Sequence, residues 1–380
     1  MKKILLIPDS FKGTMSSAKV CEIMEKAIRI HLPQAQVVSI PVADGGEGTV
    51  DSFLAAAGGE KHELPVTGPY GEPITGFYGI LPDKTAVVEM AAAAGLPLVG
   101  ENKRAEKTST FGVGQILKHV VDSGCRKIIL GLGGSATNDG GTGAAAALGV
   151  QFKDKQGRPF LPVGETLCNI GSIDISQLDP QMKSVDLTVM CDIDNPFCGP
   201  QGAAYVFAPQ KGADPEMVER LDQNLAHLAA VIRRDLKVDI ECLPGAGAAG
   251  GMGGGMVAFF NGHLQMGIET VLDTVHFDTL LQEAQLVFTG EGKLDTQSLR
   301  GKVISGVARR AKEKNVPVIA VVGDIGDQME AIYEQGVQAV FSINRVAVPF
   351  SQAKLRSESD LELTMDTILR LLTGNIMLRL

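Results

Sequence analysis

The stretch Leu130–Gly143, LGLGGSATNDGGTG, constrains this chain more than any other segment. The apolar run Lys127-Ile128-Ile129-Leu130 reads as a short buried strand, and the small residues Ala144–Leu148 have helix-forming character. Gly131, Gly133 and Gly134 lie between them, so the unit is a strand, a glycine loop and a helix. Glycine reaches positive φ and lets a ligand approach main-chain N–H groups closely. A helix N-terminus adds unpaired donors and partial positive charge, which together favour a phosphate. Ser135, Thr137, Asn138 and Asp139 add hydroxyl, amide and carboxylate groups suited to a phosphate or a phosphate-bound metal. The pattern is neither GxxxxGK[ST] nor a clean GxGxxG. Glycine-rich turns also occur for tight packing alone.

At 380 residues the chain is long for one core, and two domains are expected. Gly is abundant at 45 residues while aromatics are only 5%, which suits a loop-rich α/β enzyme better than an aromatic recognition surface. The net charge of −9, without a dense Lys/Arg block, removes the electrostatic footprint of a nucleic-acid binder. The opening MKKILLIPDSF has only Ile4–Ile7 as an apolar run before Pro8, too short for a signal-peptide core and better read as a first strand. No run approaches the ~18 apolar residues that span a membrane. Six scattered cysteines give no disulfide framework, and the six histidines have no paired ligand spacing. A reduced, cytoplasmic protein is the expectation.

Residues 3–7 read as a strand and 36–42 as a second. Between them Val20, Ile23, Met24, Ala27 and Ile28 mark a helix face capped by Ser16 or Ser17. This βαβ opening needs a parallel sheet covered on both faces, with functional loops at the strands' carboxyl ends. Two polar clusters stand there: Asp9-Ser10-Phe11-Lys12-Gly13 and Asp44-Gly45-Gly46-Glu47-Gly48-Thr49. Each also has a plain structural reading, as turn, cap or solvated lysine. Two β-like runs around Gly68–Gly71 suggest a hairpin, and Lys84–Met90 another strand.

An apolar run from Ser184 to Met190 ends in Cys191-Asp192-Ile193-Asp194-Asn195-Pro196, which suits either Mg²⁺ or an Asx-turn. Lys211 could meet a phosphate or face water. Pro215–Leu236 is an amphipathic packing helix. Gly245–Gly255 reads as close packing or a ligand-facing loop. Strands at 285–289, 316–322 and 339–343, with helices between and after them, restore the βα rhythm of the opening. The expected fold is therefore α/β with two α/β domains. One has a mainly parallel, doubly wound sheet built from both chain ends (1–95 plus 285–380), and the other (96–284) is inserted.

Six segments resemble the bacterial glycerate kinase family of the glycerate 2-kinase type. They are PDSFKGTMSSA (8–18), PVADGGEGT (41–49), GLGGSATNDGGTG (131–143), CDIDNPFCGPQGAAYVFAPQKGA (191–213), PGAGAAGGMGGG (244–255) and FTGEGKLDTQSLRGKVISGVA (288–308). They run through nearly the whole chain in a consistent order. The resemblance implies a transferase that moves a phosphoryl group from ATP to D-glycerate with Mg²⁺, giving 2-phosphoglycerate (or 3-phosphoglycerate) and ADP.

On that footing the ATP phosphates are expected on Gly133, Gly134, Ser135, Thr137, Asn138, Asp139 and Gly140. Asp192 is the first choice as Mg²⁺ ligand or catalytic base, with Asp44, Glu291 and Asp295 as rivals. Lys12, Lys211 and Lys302 are candidates for the glycerate carboxylate or the transferring phosphoryl group, and Ser10, Gly45, Gly46 and Glu47 for substrate contacts. A monomer or homodimer is expected, with neither nucleic acid nor membrane as partner. A kinase for another small hydroxy acid and a non-catalytic nucleotide- or metabolite-binding protein are the alternatives. A dinucleotide oxidoreductase fits the glycine pattern poorly, and GxSxG is absent.

Overall fold

A computed structural model describes residues 2–43, 45–295, 302–327 and 329–374. Two compact units emerge. One takes the chain up to residue 43, residues 55–57 and everything from 268 onward; the other takes 44–54 and 58–267.

The first unit is built on five parallel strands, in spatial order Val337–Ser342, Val318–Val322, Ala284–Gly290, Lys3–Pro8, Gln36–Ser39. In chain order this is the 2-1-3-4-5 arrangement of doubly wound sheets, whose switch point lies between Lys3–Pro8 and Ala284–Gly290. Lys3–Pro8 is buried throughout, as a strand covered on both faces must be. On one face Ile4, Leu6, Phe288, Ile319 and Val321 pack with Val20, Met24 and Ile28 of helix Ser17–His31 and Leu361, Met365 and Ile368 of helix Ser357–Thr373. The first of these helices starts where expected: Ser16 accepts from the Lys19 N–H at 3.2 Å, and Arg29 and His31 sit in its last turn, complementing the helix dipole.

The second unit carries a six-stranded sheet ordered His263–Gln265, Asp186–Met190, Lys127–Gly131, Thr85–Glu89, Pro73–Ile80, Glu60–Thr67. The first four strands are parallel and the last two form the expected hairpin. A small three-stranded antiparallel sheet completes it. This pairing corrects the boundary expected at residue 95. Thr85–Glu89 lies in register beside Lys127–Gly131, so the hairpin and its neighbour belong to the second sheet. Their βα-like rhythm is real, but rhythm does not say which sheet a strand joins.

The second core is aliphatic: Val88, Ile116, Leu130, Val189, Leu225, Leu228 and Met256 are fully buried. Helix Pro215–Leu236 contributes its expected apolar face. Among the described residues no helix is long and apolar enough to cross a membrane.

Candidate functional site

In the second unit the parallel strands all end at one edge, which gathers Glu89, the loop after Gly131 and the loop after Met190. The glycine loop is fastened on both flanks. Gly133 donates its N–H to the Gly45 carbonyl at 2.8 Å, while Leu96 N–H reaches the Gly134 carbonyl and Ala136 N–H the Ala94 carbonyl, each at 2.8 Å. A Cβ on Gly133 would lie 2.5 Å from the Gly46 Cα, so glycine here permits two loops to touch. Gly133 is thus a packing residue with its donor committed, rather than a phosphate donor. Gly45 and Gly46, expected as substrate contacts, are buried on the other side of the same contact.

Asp139 corrects the expectation most sharply. Its side chain is 0% exposed. One carboxylate oxygen accepts from the Thr110 N–H (2.8 Å), the Thr110 hydroxyl (2.9 Å) and the Gly143 N–H (3.3 Å), and the other from the Gly141 N–H (3.0 Å). It caps helix Thr142–Ala147 and binds the residue before helix Phe111–Asp122. Burial pushes its carboxyl above the ordinary carboxylate range, and these donors pull it back. The helix N-terminus expected to hold phosphate is therefore already serving an internal carboxylate. Gly140 is likewise committed, donating to the Gly250 carbonyl at 3.0 Å.

The open donors lie earlier in the loop. Gly134 is exposed, and among the described residues the N–H groups of Gly134, Ser135, Thr137 and Asn138 donate to nothing. The Thr137 hydroxyl and both amide atoms of Asn138 are buried without a partner. Leaving a buried polar atom unpaired costs about 1–3 kcal/mol, so such groups mark a place where a polar ligand or water completes the structure.

Lys211 lies beneath this segment, only 2% exposed. Its ammonium donates to the Ser135 hydroxyl and the Thr137 carbonyl, both at 2.7 Å. Burial drives its pKa down to about 7, and the charge of Asp139 resists the shift. Lys211 neither faces water nor points outward to a substrate; it braces the loop.

The second glycine-rich stretch supplies the floor. It forms helix Ala248–Phe260, kinked where Ala249, Gly250 and Gly251 take positive φ. At Gly250 φ is +67°, and a Cβ would sit 2.0 Å from the Thr137 carbonyl oxygen. Close packing is thus the reading that holds. Gly250→Ala is expected to cost about 2–4 kcal/mol, from strain and overpacking combined. Urea unfolding of the variant checks this, and an unchanged midpoint would show that the two loops are not in this contact.

Asp192, exposed beyond Met190, accepts from the Gly267 N–H at 2.7 Å. Glu47 is exposed on the loop held by Gly133. Glu89, unremarked in the sequence reading, is buried and accepts from the N–H groups of Gly48 (3.4 Å) and Val50 (3.0 Å), capping helix Thr49–Ala57. Its signal was available: a carboxylate closing the apolar strand Thr85–Glu89.

In the first unit, Ser10, Lys12, Glu291 and Asp295 sit on the two loops that leave the switch point. The Asp9 N–H donates to the Gly290 carbonyl at 2.8 Å, and a Cβ on Gly292 would lie 3.1 Å from the main-chain nitrogen of Lys12. Lys12 is exposed, Ser10 and Asp295 are half-buried and Glu291 is buried. Lys302 precedes helix Val303–Glu313 at its cap. Asp44, also expected here, lies outside the described residues.

A braced glycine loop with open donors, flanked by exposed carboxylates at strand ends, is the equipment of a phosphoryl-transfer enzyme. The chain belongs to the glycerate kinase family, whose profile matches residues 4–373, and so to the kinases that phosphorylate an alcohol. It is 45% identical to the glycerate kinase of Bacillus cereus (strain ATCC 10987 / NRS 248), over 96% of this chain and 97% of that one. The glycerate 2-kinase of Escherichia coli (strain K12) is also 45% identical, covering 90% of each chain. The crystal structure of a protein from Salmonella typhimurium LT2 assigned as glycerate kinase 2 superposes with a TM-score of 0.87 at 41% identity, covering 98% of both chains.

Proposed function

We propose that this chain transfers the γ-phosphoryl group of ATP to the 2-hydroxyl of D-glycerate, with Mg²⁺, giving 2-phosphoglycerate and ADP. The observation that carries the nucleotide assignment is the set of open N–H donors at Gly134, Ser135, Thr137 and Asn138, braced by Lys211. The E. coli relative's name supports the 2-position.

In this reading the N–H groups of Gly134 and Ser135, with Thr137 and Asn138, hold phosphate oxygens. Lys211 keeps those donors aimed. Asp192, an exposed hard-oxygen donor at a strand end, would hold Mg²⁺, which prefers one or two carboxylates plus water and phosphate oxygens. When bound, the ion neutralises charge on the phosphates. Ser10, Lys12 and Lys302 are assigned to the acid's carboxylate, by charge and hydrogen bonding. Asp295 and Glu291, on the same loops, are assigned the proton that the hydroxyl releases as its oxygen bonds to phosphorus and ADP leaves. The six cysteines are free, which supports a reducing cytoplasmic setting, and a monomer or homodimer is the proposed assembly.

A coupled ADP-release assay with D-glycerate, ATP and Mg²⁺, followed by phosphorus NMR of the product, tests this directly. Turnover to 2-phosphoglycerate is expected. The 3-phosphate would overturn the regiochemistry alone. Silence with glycerate but turnover with another hydroxy acid would move the acceptor.

A further inference from the structure

We infer that Glu47 is a ligand of the divalent cation that accompanies the nucleotide, a role that rests on the assignment of nucleotide phosphates to the Gly134–Asn138 donors. A Cβ built on Gly134, the exposed glycine of that loop, would lie 3.6 Å from Glu47 Oε1. The carboxylate therefore stands directly over the backbone expected to cradle phosphate. Among the described residues it accepts no hydrogen bond and pairs with no cation.

Its placement is not accidental mobility of a long side chain on a loose loop. The loop is tied at three points: Gly133 N–H to the Gly45 carbonyl at 2.8 Å, the Thr49 hydroxyl to the Gly46 carbonyl at 2.6 Å, and Glu89 to the N–H groups of Gly48 and Val50. Glu89 is itself buried, so a carboxylate inside the fold fixes where Glu47 emerges. The same loop lies against the chain that leads to Asp192, since a Cβ on Gly45 would touch Met190 Cβ at 3.4 Å.

A carboxylate beside a polyphosphate repels it. A divalent cation shared between them reverses the sign, and Mg²⁺ sites are commonly completed by one or two carboxylates and phosphate oxygens. The unpartnered Thr137 and Asn138 groups independently mark the loop as a place where a polar ligand belongs. Glu47, expected from sequence as a substrate contact, is thereby assigned to the metal, alongside Asp192.

The test uses Mn²⁺ and ADP with the full chain. Mn²⁺ binding is followed by electron paramagnetic resonance with and without ADP, and metal-free ADP binding by calorimetry, for wild type, Glu47→Gln and Glu47→Asp. Glu47→Gln is expected to weaken ADP-dependent Mn²⁺ binding at least tenfold. Metal-free ADP should bind it as well as or better than wild type, because a repulsive charge is gone. Glu47→Asp should recover part of the Mn²⁺ affinity. A merely structural role would weaken both kinds of binding together, and that result, or unchanged Mn²⁺ affinity, overturns the inference alone. Wild-type protein that binds no ADP with or without Mn²⁺ would remove the nucleotide assignment, and this inference with it.

Discussion

Asp192→Asn is expected to lower kcat by roughly 10²–10⁴-fold, the range typical for loss of a catalytic carboxylate, while leaving the fold intact. Asparagine keeps a side-chain oxygen for the Gly267 N–H, the contact seen at 2.7 Å. The residue is exposed, so no core packing changes. What disappears is the negative charge at the strand end, on which the proposed Mg²⁺ role of Asp192 rests. Matched unfolding curves together with a collapsed kcat would support the assignment. A folded variant with near-full turnover would remove Asp192 from the essential set and leave Glu291 and Asp295 as the carboxylates to examine.

Lys211→Met should act on affinity and on stability in different ways. Without the ammonium, the Ser135 hydroxyl and the Thr137 carbonyl lose a shared donor at 2.7 Å, and the KM for ATP is expected to rise about tenfold or more. The stability effect depends on pH. Burial depresses the Lys211 pKa from 10.5 to about 7 in the folded chain, so between those values the unfolded chain binds a proton that the folded chain has released. Stability attributable to this group therefore rises with pH from about 7 towards 10.5, and is flat below 7 where both states are protonated. The full swing is on the order of 3–5 kcal/mol. Urea unfolding of wild type and Lys211→Met at pH 7, 8.5 and 10 reads the difference. Stability differences that stay constant across that range would show that the lysine is not buried as a charge.

Much of the first unit is legible in the sequence because its signals are local. The helix face of Val20, Met24 and Ile28 and the run Ile4–Ile7 declare a βαβ start. Strand pairing is not local. Nothing in residues 85–89 reveals that they lie beside 127–131 rather than beside 36–39, and the domain boundary moved accordingly. The glycine loop shows the same division. Its existence and position follow from composition, but Asp139 and Ser135 are equally plausible phosphate partners on paper. Only burial and the geometry of the Thr110, Gly141 and Gly143 donors show that Asp139 is already engaged inside the protein. Lys211 is the reverse case. A lysine after Pro209-Gln210 reads as a phosphate contact or a solvated residue, yet it is buried against a serine 76 positions away.

The sheet of the first unit also sets the order in which the chain can finish folding. Lys3–Pro8 leaves the ribosome well before Ala284–Gly290, its neighbour on one side. The Thr289 hydroxyl meets the Ile7 carbonyl across 282 positions of sequence. Until that strand is synthesised, Lys3–Pro8 has only Gln36–Ser39 as a partner, on its other edge. The intervening segment, by contrast, carries nearly all of its own sheet partners and can mature during translation. Closure of so long a loop is entropically costly and slow. Lys3–Pro8 must therefore wait with one edge unpaired until its later partner is made.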